Sequence, residues 1–180
     1  MSEASDAFEV VGPLVEDVNE SLQYLFGDEK TQFWRRTHVR AVFALIEGWL
    51  NSMRMLVLGH VEVGLVELPV GDVALLRENR FDLDKHGELV VSQTFAPFEK
   101  TFNFIFRCLA TTLETGYKLD RSTKDWQYFR TALAVRNRIT HPRVASDLSV
   151  TDEEMTAVEG AMDWFRAVSI GVAQKPQNDV

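Results

Sequence analysis

The longest unbroken helical spacing in the chain runs from about Thr31 to Leu58. Val39, Val42, Phe43, Ile46, Trp49, Leu50, Met53 and Leu56 recur at three- and four-residue intervals, the mark of one apolar helix face. At 1.5 Å per residue such a helix is roughly 40 Å long, and that face must be covered by other elements. Ala41, Ala44, Gly48 and Ser52 line one flank, where small side chains allow another helix to come close. The opposite side carries Arg36, Arg40, Glu47, Asn51 and Arg54 within an arc of about 60°. Two readings of that stripe stand side by side. One is a solvated face with supporting charge pairs; the other is the wall of a polar cleft.

The remaining segments follow the same rhythm with one interruption. Pro13 to Phe26 places Leu14, Val15, Val18, Leu22 and Leu25 at helical spacing, with Gly27-Asp28 as its stop. Val73 to Glu78 reads as a short helix between loops. Phe81 to Val91 reads as two short strands around a turn at Asp84 to Gly87. A lone hairpin is marginal in water, so it is expected to lie against the helices. From Phe98, the residues Phe102, Ile105, Leu109 and Leu113 restore a helical core stripe. Aromatic residues at this density point to core packing before base stacking. Thr151-Asp152-Glu153-Glu154 is a capping box that opens a last helix reaching about Val172. The expectation is a mainly α, single-domain helical bundle of about five helices spanning residues 1–180. A small β-hairpin insertion lies near residues 80–91, and the ends fray near 1–7 and 174–180.

Composition narrows the function classes. The chain has 180 residues, 46% hydrophobic and 26% charged, with a net charge of −8. That charge argues against a general nucleic-acid coat protein, though not against a small basic cleft on an acidic body. Cys108 is the single cysteine, so no internal disulfide forms, and no Cys/His cluster has metal-ligand spacing. No metal or cofactor is expected. No apolar run reads as a membrane span, and the acidic start M-S-E-A-S-D-A is unlike a secretory signal. A cytoplasmic protein without membrane association is the expectation. No phosphate-binding glycine loop or nucleophile elbow is present.

The stretch Ala134 to Arg143, A-V-R-N-R-I-T-H-P-R, carries the chemistry that remains. It ends a helical segment beginning near Thr123, in which Trp126, Phe129, Leu133, Tyr128, Ala132, Val135 and Ile139 form a broad apolar arc. Arg136 projects near the middle of that arc and Asn137 at its edge, where apolar residues belong. An arginine there must be paired or must face a cleft, partner or ligand. Pro142 disfavours helical geometry at His141 and should leave the imidazole accessible at the helix end. Arg138 points away from the arc.

Arg136-Asn137 followed by His141-Pro142 resembles the signature of the HEPN family of small helical-bundle proteins, an arginine and a histidine separated by four to six residues. Arg54/His60 and Arg80/His86 match the bare spacing too. Only the Arg136 copy adds the polar neighbour, the helical setting and the His-Pro ending. The resemblance implies metal-independent endoribonuclease activity with Arg136, Asn137 and His141 as catalytic residues. It also implies a homodimer with two motifs facing each other, and a role as a toxin or antiphage effector checked by an antitoxin-like protein. Histidine can move a proton at the ribose 2′-hydroxyl or the departing 5′-oxygen. Arginine can hold the phosphate and stabilise developing charge. Arg40, Glu47, Asn51 and Arg138 are candidate cleft-lining residues. On a regular helix Arg136 and His141 project about 140° apart, so they converge only in a distorted last turn or across two chains. Two alternatives to catalysis remain open. In one, Arg136 ties helices together through Glu47 or a carbonyl while His141 caps the helix. In the other, the protein is a non-catalytic dimeric binding or regulatory member of the same family.

Overall fold

The computed structural model describes residues 7–26, 31–93 and 96–174. The stop at Gly27-Asp28 and most of the fraying ends lie outside them. Among the described residues the elements are six helices and one two-stranded sheet: α1 Val11–Phe26, α2 Gln32–Glu62, α3 Val70–Leu76, β1 Asn79–Leu83, β2 Leu89–Gln93, α4 Phe98–Thr112, α5 Lys124–Thr140 and α6 Asp152–Ala173. A 3-10 turn, Ala145–Leu148, interrupts the segment between α5 and α6. The helical bundle with a small hairpin expected from the sequence is what forms.

Local chemistry sets the helix starts. Thr31 caps α2, Thr123 caps α5 and Thr151 caps α6, each hydroxyl accepting a backbone N–H three residues on. At α6 the Glu154 carboxylate also accepts the Thr151 N–H at 3.0 Å, completing the capping box. The short helix α3 begins at Val70, three residues earlier than the periodicity predicts, and stops before Glu78. Glu78 turns into the left-handed region at φ 55°, where it meets Arg54 at 3.1 Å.

α2 is the axis of the bundle. Val39, Val42, Phe43, Ile46, Leu50, Met53 and Val57 are buried along it, and α1, α4, α5 and α6 all pack against it. On the small-residue flank α1 does come close: a Cβ on Gly48 would lie 2.5 Å from Leu14 Cδ1. The Ser52 hydroxyl donates to the Ala7 carbonyl at 2.6 Å. The aromatic residues of α4, α5 and α6 form the core. Phe102 lies 5.1 Å from Phe129 and 5.4 Å from Trp164, ring centre to ring centre, and Phe129 lies 4.8 Å from Trp164. Rings at these separations add attraction beyond their buried area.

Two expectations are corrected. The hairpin touches the bundle at α3 but leaves one apolar face uncovered. Its register pairs Phe81 with Val91 and Leu83 with Leu89, and all four are at least half exposed on one sheet face. Asp84 accepts the N–H groups of His86 and Glu88, and Gly87 takes φ 80°. The turn is thus specified by its own residues, without support from the bundle. Secondly, α2 does contain a stretch long and apolar enough to cross a membrane by length and composition. Half of that window is buried inside the bundle, which is why a central helix resembles a span in composition.

Candidate functional site

The last turn of α5 places the motif. Trp126, Phe129, Ala132, Val135 and Ile139 are buried, so the apolar arc faces the core as its spacing predicts. Arg136 leaves the middle of that arc and reaches α2, where Nη2 donates to Glu47 Oε1. Its Nη1 donates to Asn137 Oδ1 at 3.1 Å. The Arg136 side chain is 25% exposed and that of Glu47 39%. Arg136, Glu47 and Asn137 therefore form one connected group at the edge of the core, open on one side to solvent.

Arg138 goes elsewhere. Its Nη2 lies 2.8 Å from both carboxylate oxygens of Glu154, and its side chain is 31% exposed. The margin over Arg136 is small, because Arg138 is drawn in against α6 rather than standing in solvent. Since Glu154 also completes the α6 capping box, Arg138 joins the end of α5 to the start of α6.

His141 ends the helix. Its backbone N–H donates to the Asn137 carbonyl at 3.0 Å, and its dihedrals, φ −124° and ψ 60°, leave helical space. The hydroxyl of Thr140 donates to the Arg136 carbonyl at 2.7 Å. The turn is thus regular up to Thr140, and on such a turn helical projection alone does not bring residues 136 and 141 together. The imidazole is exposed and has no hydrogen-bond partner among the described residues. Asn137 turns its side-chain oxygen to Arg136 and not to the imidazole.

The polar stripe of α2 matches neither simple reading. Arg40 Nη2 donates to the Ile139 carbonyl at 3.2 Å, and Arg36 Nη1 to the Leu148 carbonyl at 2.9 Å. The stripe is therefore solvated only in part: Arg40 and Asn51 are exposed, whereas Arg36, Glu47 and Arg54 are half-buried. At its N-terminal end it holds the segment that follows the motif. Two residues that the sequence reading passed over complete this clasp. Arg35 donates to the Val150 carbonyl at 2.9 Å and pairs with Asp152. Gln32 bonds both backbone groups of Val150, at 2.7 and 3.0 Å. No sequence signal links them to Val150, because the partners lie 115 and 118 residues apart. Asn51 is not brought to the motif. It accepts from Arg54 Nη2 at 2.6 Å, while Arg54 Nη1 also reaches the Leu76 carbonyl at 3.2 Å.

Beyond the motif, Asp147 accepts the N–H groups of Arg143 and Val144 at 2.7 and 3.1 Å. These backbone bonds hold its carboxyl below the usual range. They turn the chain so that Arg143, exposed and close enough to Asp147 to help stabilise its charge, follows closely on His141. On the other side of Glu47 a cleft of about 470 Å³ opens between α2, α3 and α4, lined also by Arg54, Glu78 and Lys100. No group of three or more His, Cys, Asp or Glu residues among the described ones is arranged to hold a metal ion. Cys108 is buried and its thiol is pushed up to about 11 by burial, so it is no nucleophile. Of the other histidines, His60 bonds the Leu56 carbonyl at 2.8 Å and His86 sits exposed in the hairpin turn. Comparison of the chain with protein-family models, with curated proteins and with solved structures gave no match.

Proposed function

We propose that this chain is a metal-independent endoribonuclease of the HEPN type, acting as a cytoplasmic homodimer. The observation that carries this reading is the exposed, unbonded imidazole of His141 at the end of α5. It is followed by the exposed Arg143 and preceded by Arg136, whose side chain is 25% exposed. Within a chain of net charge −8, that helix end is a place where a phosphate can find cations.

The neutral imidazole would take the proton from a ribose 2′-hydroxyl, whose oxygen attacks the adjacent phosphorus while the bond to the 5′-oxygen breaks. The departing 5′-oxygen takes up a proton, from the partner subunit's His141 or from water. The products are a 2′,3′-cyclic phosphate and a 5′-hydroxyl end. Arg136 would hold the phosphate oxygens and stabilise charge in the transition state. Because helical projection alone does not bring Arg136 and His141 together, a two-fold dimer that faces the two motifs is the assembly we favour. A toxin or antiphage effector restrained by an antitoxin-like partner is the biological setting in keeping with it.

The deciding experiment incubates purified protein with total RNA in EDTA, alongside His141→Ala. Cyclic-phosphate products from the wild type and none from the variant support the reading. Cleavage that needs magnesium, or that survives His141→Ala, overturns it. A second reading rests on one specific contact, the Arg136–Glu47 pair. If that pair only ties α5 to α2, the chain is a non-catalytic dimeric binding or regulatory protein, and wild type and variant will both leave RNA intact.

A further inference from the structure

On the side of α2 opposite the Arg36–Arg40–Glu47 stripe, α1 and α6 each pack on α2 but leave a gap between themselves. The gap is a half-open groove of about 980 Å³ with Val42 and Leu45 of α2 in its floor, Val18 and Leu22 on α1, and Met162 and Phe165 on α6. That is the size and apolar character of a small-molecule site.

His38 and Ser169 bring polar atoms into the apolar lining, as do Asn19 and Gln174. His38 lines the groove and is only 3% exposed. Its Nδ1 lies 3.0 Å from Ser21 Oγ. The single Ser21 hydroxyl proton is already given to the Val18 carbonyl at 2.9 Å. Ser21 must therefore accept from Nδ1–H, which leaves Nε2 of the neutral ring as an acceptor. Nε2 has no partner among the described residues. Burial lowers the pKa of His38, which favours this neutral form. On α6 the hydroxyl of Ser169, which also lines the groove, is buried with no hydrogen-bond partner. Buried polar groups are normally bonded, and a buried unpaired hydroxyl in the same groove as an imidazole nitrogen without a partner calls for an explanation. At the rim, Glu159 and Asp163 outnumber Arg166, which Asp163 faces at 3.6 Å. A carboxylate ligand would meet net negative charge there.

We propose that this groove binds a neutral, elongated amphiphile: an aliphatic chain bearing a hydroxyl or amide N–H that donates to His38 Nε2. The acceptor lone pair specifies a donor, the acidic rim rejects an anion, and the volume suits one lipid-sized chain. The site stands apart from the ribonuclease reading, since it lies on the other face of α2.

The test displaces Nile red from the full chain with 1-decanol, decyl methyl ether and decanoate. Decanol should displace the dye saturably, about tenfold better than the ether, which has the same chain but no donor. Decanoate should be weaker still. His38→Phe should abolish the difference between alcohol and ether. Met162→Trp, at a half-buried groove wall, should block all three ligands while circular dichroism confirms the fold. Equal affinity for alcohol and ether in the wild type would overturn the proposal. So would binding unaffected by Met162→Trp, or no saturable binding at all, which would leave the groove to a helix of a partner protein.

Discussion

Glu47→Gln keeps the size of the side chain and removes the charge that faces Arg136. The two side chains are 39% and 25% exposed, so water screens the pair and a large buried-ion penalty does not apply. Exposed ion pairs contribute about 0.2–1 kcal/mol. The second bond from Arg136 to Asn137, at 3.1 Å, fixes the guanidinium and places this pair near the top of that range. A double-mutant cycle of Glu47→Gln with Arg136→Met, which preserves the apolar stem, should return a coupling of about 1 kcal/mol. Each single variant should melt roughly 2–4 °C lower, as expected for a domain of this size. Urea denaturation monitored by tryptophan fluorescence supplies the free energies. A coupling indistinguishable from zero would show that the contact contributes nothing in solution. One above about 3 kcal/mol would mean that the pair behaves as buried. RNA cleavage by the same variants separates the functional readings. If Glu47 positions Arg136 for phosphate, Glu47→Gln should lower turnover by about ten- to a hundredfold; a purely structural tie leaves no turnover to lower.

Removing the proton-transfer group with His141→Ala should cost cleavage roughly two to four orders of magnitude, as should Arg136→Ala, with EDTA leaving the wild-type rate unchanged. Arg136→Lys should rescue poorly, because a point charge does not reproduce a planar two-pronged contact. Asn137→Ala should have a smaller effect and His86→Ala almost none. Gly160→Ala should destabilise despite a helix-propensity gain of about 1 kcal/mol. The new Cβ would lie 2.5 Å from Cδ2 and 3.0 Å from Cγ of Tyr128, and overpacking a stiff ring costs about 1–3 kcal/mol; a higher melting temperature would contradict this. His38 has a lowered pKa in the folded state because burial penalises its charged form. The unfolded chain therefore binds the extra proton, and the stability present above pH 6.5 is lost as pH falls below it. Melting temperature should drop less between pH 7.5 and 5.5 in His38→Gln than in the wild type, and equal drops would refute the assignment.

What the chain determines locally was legible in its letters. Threonines at 31, 123 and 151 start helices because a hydroxyl satisfies a nearby N–H. Periodicity put Phe102, Phe129 and Ile139 in the core, and Asp84 with Gly87 bent the hairpin. The glycine-and-alanine flank of α2 announced the close approach of α1. Each of these rests on groups within a turn or two of one another, where residue type alone selects the geometry. Position in the apolar arc likewise required that Arg136 find a partner. Which partner it took was a tertiary matter, since Glu47 lies 89 residues away. The same holds for Arg36 on Leu148, Arg40 on Ile139 and Gln32 on Val150, separated by 112, 99 and 118 residues. A charged stripe looks alike in sequence whether it faces water or a neighbouring backbone, because its spacing records the helix and not what lies across from it. The hairpin shows the converse. Its strands were specified by alternation and turn chemistry, but whether its apolar face would be covered depended on how the helices were arranged, and they leave it open. The groove between α1 and α6 arises in the same way, from two helices that share α2 as a support and pack little against each other.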